Sequence, residues 1–221
     1  MVEVETDLTE HWMRNRLSGL FPSMPGKILD KRSRQLICLL ALLQRWARRV
    51  NLTSLHSSHD IVERHFVDSL LTLEYVQQSG EVVLDLGTGA GFPGLPLAIF
   101  SPEQTFILLD GNTRKIAFVR QAVMELELGN VMPVGEHSKV YRPAQPIDTI
   151  ISRAVGTALE LQRAAKDLLE VNGRLLCMKT SRETGFEDCI PGFRFVRKIS
   201  LIKDGSLPDR CLIEYQRVEH S

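Results

Sequence analysis

Three glycines at alternate positions follow a carboxylate, and this arrangement is suited to holding a ligand against the backbone. Asp85 lies near the end of an apolar run, and Gly87, Gly89 and Gly91 come next. Glycine has no Cβ and accepts positive φ, so the chain can turn sharply and a ligand can press on the backbone. A carboxylate at a strand end favours a ligand with an ammonium group, bound directly or through water, over a pyrophosphate. S-adenosylmethionine carries such a group on its methionine part.

Other interpretations of this stretch remain open. The sequence Gly89-Ala-Gly91-Phe-Pro-Gly94 matches the GxGxxG pattern of dinucleotide sites, which would indicate an NAD-dependent enzyme. It starts two residues late relative to the strand, however, and it contains Pro93. A glycine-rich turn without a ligand is the plainest alternative.

Two more charged side chains each follow a predicted strand. Asp110 comes after an apolar run, about twenty residues beyond the glycines, where a carboxylate can accept both ribose hydroxyls of an adenosine. S-adenosylmethionine and NAD both carry that ribose, so Asp110 does not choose between them, and its plainer alternative is a helix cap. Arg153 is placed to meet a cofactor carboxylate or an RNA phosphate, unless it is a surface arginine without a role.

The elements that must position these residues alternate between strands and helices. A helix is predicted from Pro93 to Phe100, a second has its buried stripe between Ile116 and Leu126, and Thr157 with Glu160 forms a capping box for a third. This alternation predicts an α/β fold, with a seven-stranded, mostly parallel sheet and helices on both faces. The strands are expected at Val82–Leu86, Thr105–Leu109, Val131–Val134, Ile147–Ser152, Asn172–Lys179 and, as an antiparallel pair around the turn Asp204–Pro208, Phe193–Ile202 and Arg210–Arg217.

Residues 1–78 predict an N-terminal helical extension before the α/β domain at 79–221. Helices are expected at Leu8–Leu20 and Lys31–Val50, and the second has an apolar stripe at helical spacing. Between Lys27 and Val50 there are seven basic residues and one acidic residue. Such a charge run is usually a solvated face, but in a chain without net charge it also suits contact with an RNA backbone. The arginines opposite the stripe are Arg34, Arg45, Arg48 and Arg49.

A third helix of the extension is predicted to begin near Asp60, with Glu63 completing a capping box. His65 lies three residues and Arg64 four residues before Asp68, so these side chains can meet on one helix surface. We expect a structural cluster of ion pairs and hydrogen bonds that fixes this helix against the α/β domain. The alternative is a direct role in catalysis.

The composition limits the partners and the compartment. Lys+Arg and Asp+Glu both number 27, so any nucleic-acid surface must come from local clustering of charge. The four cysteines are scattered and no secretory signal precedes them, which predicts a reduced, cytoplasmic protein. No apolar run reaches the roughly 18 residues of a membrane span. The six histidines are dispersed, so neither a metal site nor a nucleophile–base constellation is expected.

Three segments together resemble the glucose-inhibited division protein B family. They are VLDLGTGAGFPGLPLAI around the glycines, RHFVDSL at Arg64–Leu70 and ISRA at Ile151–Ala154. The resemblance implies a Rossmann-like class I methyltransferase that uses S-adenosylmethionine to methylate guanine N7 in small-subunit (16S) ribosomal RNA. Its partner is then that RNA or the ribosomal subunit, and we expect a monomer. The cofactor-binding residues predicted on this basis are Asp85, Gly87, Gly89, Gly91, Phe92, Asp110, Ser138, Lys139 and Arg153.

The chain departs from the family pattern at two positions. The resemblance places backbone around Ser138 and Lys139 against the adenine, but the family commonly has an acidic residue at the position of Lys139. If that carboxylate helps to hold the adenine in the family, this protein must use Glu136 or backbone alone. The family usually has leucine-lysine-glycine where this chain has Met178-Lys179-Thr180. Lys179 keeps its place on the substrate side, where it can hold an RNA phosphate, and we do not assign it as a general base.

The implied reaction needs few chemical groups. Guanine N7 has a lone pair and no proton, so attack on the sulfonium methyl requires no base. We therefore predict catalysis by positioning in a partly dehydrated pocket, and we assign no catalytic residue. The alternatives are methyl transfer to another RNA or a small molecule, an NAD-dependent oxidoreductase, and a non-catalytic RNA-binding assembly factor with the same fold.

Overall fold

The computed structural model describes residues 2–55, 57–153, 156–182, 184–201 and 210–219. Its centre is one sheet of seven strands: β1 (Val82–Leu86), β2 (Thr105–Leu109), β3 (Val131–Val134), β4 (Thr149–Arg153), β5 (Arg174–Thr180), β6 (Phe193–Ser200) and β7 (Arg210–Arg217). Their order across the sheet is β3-β2-β1-β4-β5-β7-β6. β1 to β5 pair in parallel, and β7 is antiparallel to both β5 and β6. The predicted seven-stranded, mostly parallel sheet is thereby confirmed.

The strand order places a crevice at the middle of the sheet. The chain runs outward from β1 through β2 to β3 and then returns to β4 on the other side of β1. In open parallel sheets, ligands bind beyond the carboxyl ends of the strands at the point where the order reverses. That point lies here between β1 and β4.

Helices cover both faces of the sheet and form the N-terminal region. The N-terminal elements include a short π-helix, in which the Asp68 amide donates to the Glu63 carbonyl five residues earlier. The helices are α1 (Val2–Leu20), α2 (Gly26–Ala47), α3 (Ser58–Ile61), the π-helix (Val62–Val67), α4 (Asp68–Leu70), α5 (Leu73–Gln77), α6 (Gly94–Phe100), α7 (Thr113–Glu125) and α8 (Ala158–Ala165). None of the described helices is long and apolar enough to cross a membrane.

Two hydrophobic clusters form because neighbouring strand residues point to opposite faces. In β1, Val83 joins the cluster that contains the α2 leucines and the core residues of α6 and α7, whereas Leu84 joins the cluster under α8. Phe106 and Ile107 divide in the same way in β2. The N-terminal helices therefore share one continuous core with the sheet. The division into residues 1–78 and 79–221 stays a prediction.

Several predicted boundaries of the N-terminal helices are wrong. α2 begins at Gly26 rather than Lys31, with Pro25 at its N-cap, and it ends at Ala47. The predicted Asp60–Glu63 capping box is also replaced. Ser57 is the N-cap of α3, and its hydroxyl accepts from the Asp60 amide at 3.0 Å.

Smaller differences occur at strand and helix ends. β4 begins at Thr149 rather than Ile147, and the side chain of Asp148, just before it, accepts from Glu81 N and Val82 N, each at 2.9 Å. α6 begins at Gly94, with Pro93 as its N-cap, and the Thr157–Glu160 capping box is confirmed. β5 spans Arg174–Thr180 and β6 ends at Ser200. The turn Asp204–Pro208, Ile202 and Ala154 lie outside the described residues.

Candidate functional site

The loop after β1 is anchored to the end of β2. The amides of Gly87 and Thr88 donate to the Leu109 carbonyl at 2.8 and 3.1 Å, and the φ of Gly89 is +59°. Within 4 Å of a Cβ built on Gly89, the described residues place one atom, Lys115 Nζ at 3.9 Å. The Gly89 backbone therefore faces open space, as the close approach of a ligand requires.

The later glycines of the loop are required by packing inside the protein. A Cβ on Gly91 would overlap the Leu95 side chain. A Cβ on Gly94 would lie 2.8 Å from Asp85 Oδ2 and 2.9 Å from Leu108 Cγ. These contacts explain both glycines without a ligand, and the predicted role of Gly91 in cofactor binding remains a prediction.

Asp85 organises the loop from within. Its side chain is fully buried, and Oδ2 accepts from Thr88 Oγ1 at 2.6 Å and from Gly94 N at 2.8 Å. Burial raises the pKa of this carboxyl to about 6, although the two hydrogen bonds act in the opposite direction. Oδ1 is buried and has no hydrogen-bond partner among the described residues. A buried carboxylate oxygen without a donor is suited to a ligand's ammonium group or to a bridging water.

Asp110 connects the glycine loop to the end of β2. Its Oδ2 accepts from Gly89 N at 2.9 Å, and its Oδ1 accepts from Asn112 N at 2.7 Å. The alternative in which Asp110 caps the next helix is wrong, because Asn112 is the N-cap of α7 and accepts from the amides of Arg114 and Lys115. The half-buried Asp110 carboxylate thus lies directly beside the open glycine backbone, where a ribose would need it.

The turn after β3 forms the far side of this region. Ser138 is half-buried and Lys139 is exposed, and both line a cavity of about 570 Å³ together with Gly156 and Glu160. Glu136, the other carboxylate that could hold the adenine, is exposed. Contact between this turn and an adenine remains a prediction.

Arg153 lies at the end of β4 in a dense cluster of side chains. Its Nη1 donates to the Arg64 carbonyl at 2.8 Å and to Asp68 Oδ2 at 3.2 Å. Its Nη2 contacts His65 Nδ1 at 3.0 Å, and its guanidinium lies 5.6 Å from the centroid of the Phe92 ring. The side chain is only 16% exposed. Arg153 therefore connects the π-helix to the glycine loop, and the surface-arginine alternative is wrong.

His65 is held as a neutral ring. Arg153 can only donate, so Nδ1 of His65 accepts, and the ring proton is on Nε2, which lies 2.8 Å from Thr53 Oγ1. Burial, together with the positive charge of Arg153, lowers the pKa of His65 to about 3. The ring is also stacked on Phe92, with 4.6 Å between centroids. Phe92 is thus a part of the loop that packs against the N-terminal elements.

The RHFVDSL segment therefore forms the structural cluster that the sequence predicts, with different partners. Asp68 is buried, and its carboxylate joins Arg153 to Arg210, whose Nε lies 2.9 Å from Oδ1. The side chain of Arg64 pairs with Asp60 at 3.6 Å rather than with Asp68. Asp60 and Arg64 are also four residues apart, so the spacing rule is met by a different pair, and the carboxylate of Asp68 is taken up by Arg153 and Arg210.

Sequence reasoning missed Arg210, Thr53 and the stacking role of Phe92. Arg210 is 142 residues from Asp68 and reaches it because β7 runs antiparallel to β5, with Arg210 opposite Thr180. The predicted hairpin could have located Arg210, because pairing its second strand with β5 places the start of that strand at the end of β5. No local motif marks Thr53.

On the other side of Arg153 is a second cavity, of about 390 Å³. It lies between the π-helix and the ends of β4, β5 and β7, and Lys179 lines it. Among the described residues, no group of three or more His, Cys, Asp or Glu side chains is arranged to hold a metal ion.

Known rRNA methyltransferases are similar to most of this chain. The family model described as GidB, rRNA small subunit methyltransferase G, matches residues 32–187. A ribosomal RNA small subunit methyltransferase G from Psychromonas ingrahamii is 34% identical over 203 residues, which cover 91% of this chain and 97% of that protein. The protein of the same name from Methylococcus capsulatus is 42% identical over 153 residues, covering 69% and 73%.

Solved structures agree on the fold. A mutant of MtNAS in complex with S-adenosylmethionine has a TM-score of 0.58 at 12% identity, and the match covers 91% of this chain and 82% of that one. The glycopeptide N-methyltransferase MtfA, complexed with S-adenosylmethionine, has a TM-score of 0.54 at 12% identity, with coverage of 68% and 87%. The Rossmann-like methyltransferase fold predicted from the sequence is thereby confirmed.

Proposed function

This chain belongs to the GidB family of small-subunit rRNA methyltransferases, and on that basis we propose that it transfers a methyl group from S-adenosylmethionine to N7 of a guanine in small-subunit rRNA. The observation that carries the proposal is the family match over residues 32–187, which spans the glycine loop, the Asp68–Arg153 cluster and Lys179. An NAD-dependent oxidoreductase and a non-catalytic assembly factor are accordingly set aside.

The residues beyond the sheet fit S-adenosylmethionine. The open backbone at Gly89 allows a ligand to approach, and the unpartnered Oδ1 of Asp85 is suited to the ammonium group or to a water that joins it. Asp110, next to Gly89, is suited to the ribose hydroxyls. We further propose the turn at Ser138 and Lys139 for the adenine, with Gly87, Gly91, Phe92 and Arg153 completing the site.

The reaction requires the protein to orient the two reactants and to exclude water from the site. When bound, S-adenosylmethionine supplies a methyl group on a positively charged sulfur. Guanine N7 attacks with its own lone pair, so no side chain has to remove a proton, and alignment of the reacting atoms gives most of the rate. The packed cluster of His65, Phe92 and Arg153 holds the loop rigid and, being mostly buried, excludes water from this side of the site.

Gly89→Ala tests the cofactor site. The Gly89 φ of +59° permits alanine at a cost of about 1–2 kcal/mol, and the new methyl group would project into the space that we assign to the ligand. We expect a folded protein whose Kd for S-adenosylmethionine, measured by calorimetry, rises at least about tenfold, which is about 1.4 kcal/mol. Gly185→Ala is the matched control, because Gly185 also has positive φ, at +67°, and lies outside the site. Equal affinity of both variants would remove the site assignment.

The reaction is tested with small ribosomal subunits from a strain that lacks this class of enzyme. After incubation with S-adenosylmethionine, mass spectrometry of the digested nucleosides should show 7-methylguanosine with the wild-type protein and much less with Gly89→Ala. Parallel reactions with deproteinised rRNA decide whether the subunit or the free RNA is the substrate. If the protein binds S-adenosylmethionine normally but does not form this product, the proposed cofactor stands and the proposed methyl acceptor is wrong. Cytoplasmic location and a monomeric state remain predictions.

The outer face of α2 supports contact with an RNA backbone. Arg34 is exposed on α2, and Arg48 and Arg49 are exposed in the turn that directly follows it, whereas Arg45 forms an ion pair with Glu125 at 2.7 Å. A row of exposed arginines on a protein without net charge is a local positive field of the kind that attracts phosphates. We propose that α2 holds the rRNA outside the reacting site.

A further inference from the structure

The 390 Å³ cavity beside Arg153 is lined by positively charged side chains. Arg64, Arg153, Lys179 and Arg210 all border it, together with the polar side chains of Ser54 and Thr180. No carboxylate is part of its lining among the described residues. His65, which also borders it, has a pKa of about 3 and adds no charge at neutral pH.

Two partly buried arginines of this cavity, Arg153 and Arg210, are fixed by one carboxylate. Asp68 is 3% exposed in its side chain and pairs with Arg153 at 3.2 Å and with Arg210 at 2.9 Å. The bond to Asp68 uses Nε of Arg210 and neither of its Nη groups. One negative charge is therefore shared by two positive charges, and the arginines are held in place without being neutralised.

The strand register brings the positively charged residues to one end of the sheet. Lys179 is near the end of β5, Arg210 begins β7 opposite Thr180, and Arg153 ends β4 opposite Met178. Arg64 reaches the same cavity from the π-helix, with its side chain 52% exposed and its partner Asp60 3.6 Å away. The end of the sheet nearest the glycine loop thus presents a positively charged surface, in which Arg153 and Arg210 are fixed by Asp68.

The reaction itself makes it unfavourable for these cations to face the guanine ring. N7 forms a bond to the methyl carbon, the carbon–sulfur bond breaks with its electron pair kept by sulfur, and no proton leaves. The positive charge passes from sulfur to the purine ring. Uncompensated cations next to that ring would oppose the arriving charge, whereas cations neutralised by an anion would not.

We propose that this cavity binds a backbone phosphate of the RNA chain next to the target guanine, with Arg210, Arg64 and Lys179 as its ligands and Arg153 as their fixed neighbour. The proposal rests on the rRNA methyltransferase function and specifies how the acceptor is held. The phosphate contributes to affinity, and it also neutralises the cavity before charge develops on the base. A chain of nucleotides is then the required acceptor, and a free nucleoside is a poor one.

Arg210→Gln is the first test, with Arg210→Lys as the rescue variant. The matched control is Arg197→Gln. Arg197 likewise donates through Nε, at 2.7 Å, to a buried carboxylate, Glu214, which a second arginine also holds. For each protein we would measure the Kd for S-adenosylmethionine, and the kcat and KM for small subunits over a series of salt concentrations. Inorganic phosphate, at constant ionic strength, serves as a competing probe.

For Arg210→Gln we expect KM for the subunit to rise about tenfold or more, as for loss of one charge-assisted hydrogen bond. The slope of log KM against log salt concentration should fall by roughly 0.7 to 0.9, which corresponds to one phosphate contact. The Kd for S-adenosylmethionine should be unchanged, Arg210→Lys should restore part of the affinity, and inorganic phosphate should compete against the wild type more strongly than against Arg210→Gln. Arg197→Gln should behave as the wild type.

The proposal is overturned if Arg210→Gln has the KM and salt slope of Arg197→Gln, or if it weakens cofactor binding and leaves KM unchanged. Should Arg210→Gln fail to fold, the exposed Arg64→Gln gives the same readouts. If the wild type makes no 7-methylguanosine, the function proposal fails separately. Equilibrium binding of deproteinised rRNA by the same variants, over the same salt series, then still decides whether the cavity holds a phosphate.

Discussion

His65 and Asp85 have opposite effects on stability, and these effects are expected to cancel only in part between pH 7 and pH 5. His65 has a folded-state pKa of about 3 against 6.5 for the ordinary side chain. As the pH falls below 6.5, His65 is protonated in the unfolded chain but stays neutral in the folded protein. Protonation therefore stabilises the unfolded chain, and the free energy of unfolding falls. Over this interval the loss is about 2 kcal/mol.

Asp85 acts in the other direction. Its folded-state pKa is about 6 against an ordinary 3.8, so between these values the folded protein binds the proton more tightly than the unfolded chain. Stability is then lost as the pH rises through this window and regained as it falls. From pH 7 to pH 5 the gain is about 1 kcal/mol, which leaves a net change of about 1 kcal/mol for the wild type.

Single substitutions should reveal each effect. His65→Asn keeps an acceptor for Arg153 but cannot titrate, so its free energy of unfolding should increase by about 1 kcal/mol from pH 7 to pH 5. Asp85→Asn keeps an oxygen for Thr88 and Gly94 and should lose about 2 kcal/mol over the same interval. The assay is urea unfolding followed by the fluorescence of Trp12 and Trp46, which pack in or against the N-terminal core. If the free energy of unfolding of both variants changes with pH as in the wild type, neither His65 nor Asp85 causes the pH dependence and the reasoning is refuted.

Two further predictions concern the RNA-binding face and the loop. Arg48→Gln combined with Arg49→Gln should weaken rRNA binding and reduce its salt slope by roughly 1 to 2, measured by filter binding, with cofactor affinity unchanged; an unaltered slope would make the outer face of α2 a solvated surface only. Gly94→Ala should lower the free energy of unfolding by about 1–3 kcal/mol, because its Cβ would meet the buried carboxylate of β1 and a leucine of β2. Gly129→Ala, whose Cβ would meet nothing within 4 Å, is its control, and equal stability of these two proteins would contradict the packing argument.

Much of the sheet could be predicted from the sequence because its strands are short buried runs with clear ends. Val82–Leu86, Thr105–Leu109 and Val131–Val134 have the predicted bounds, since glycine, aspartate or proline stands near each run. The start of α2 could not be located, because Pro25 and Gly26 are the residues that usually mark a loop. Here proline is tolerated as the residue just before the first helical turn.

The candidate site divides between local and long-range information. The positions of the glycine loop and Asp110 could be predicted, because each directly follows a short buried strand of one α/β unit. Arg210 and Asp68 meet only through the antiparallel return of β7, and His65 meets Arg153, 88 residues away, where the π-helix packs against the end of β4. These contacts are set by the tertiary fold, which single-sequence periodicity does not encode.

The π-helix makes the length of its segment more important than its composition. An added residue in a helix is absorbed as a wider turn, and removing one residue from Val62–Val67 would restore ordinary helical geometry. The chain before the deletion would then rotate by about 100° and shift by about 1.5 Å relative to the chain after it. Thr53 and the α1–α2 hairpin would lose their alignment with the glycine loop. We therefore expect the π-helix to tolerate no change in residue number, because the alignment of the N-terminal elements with the glycine loop depends on it.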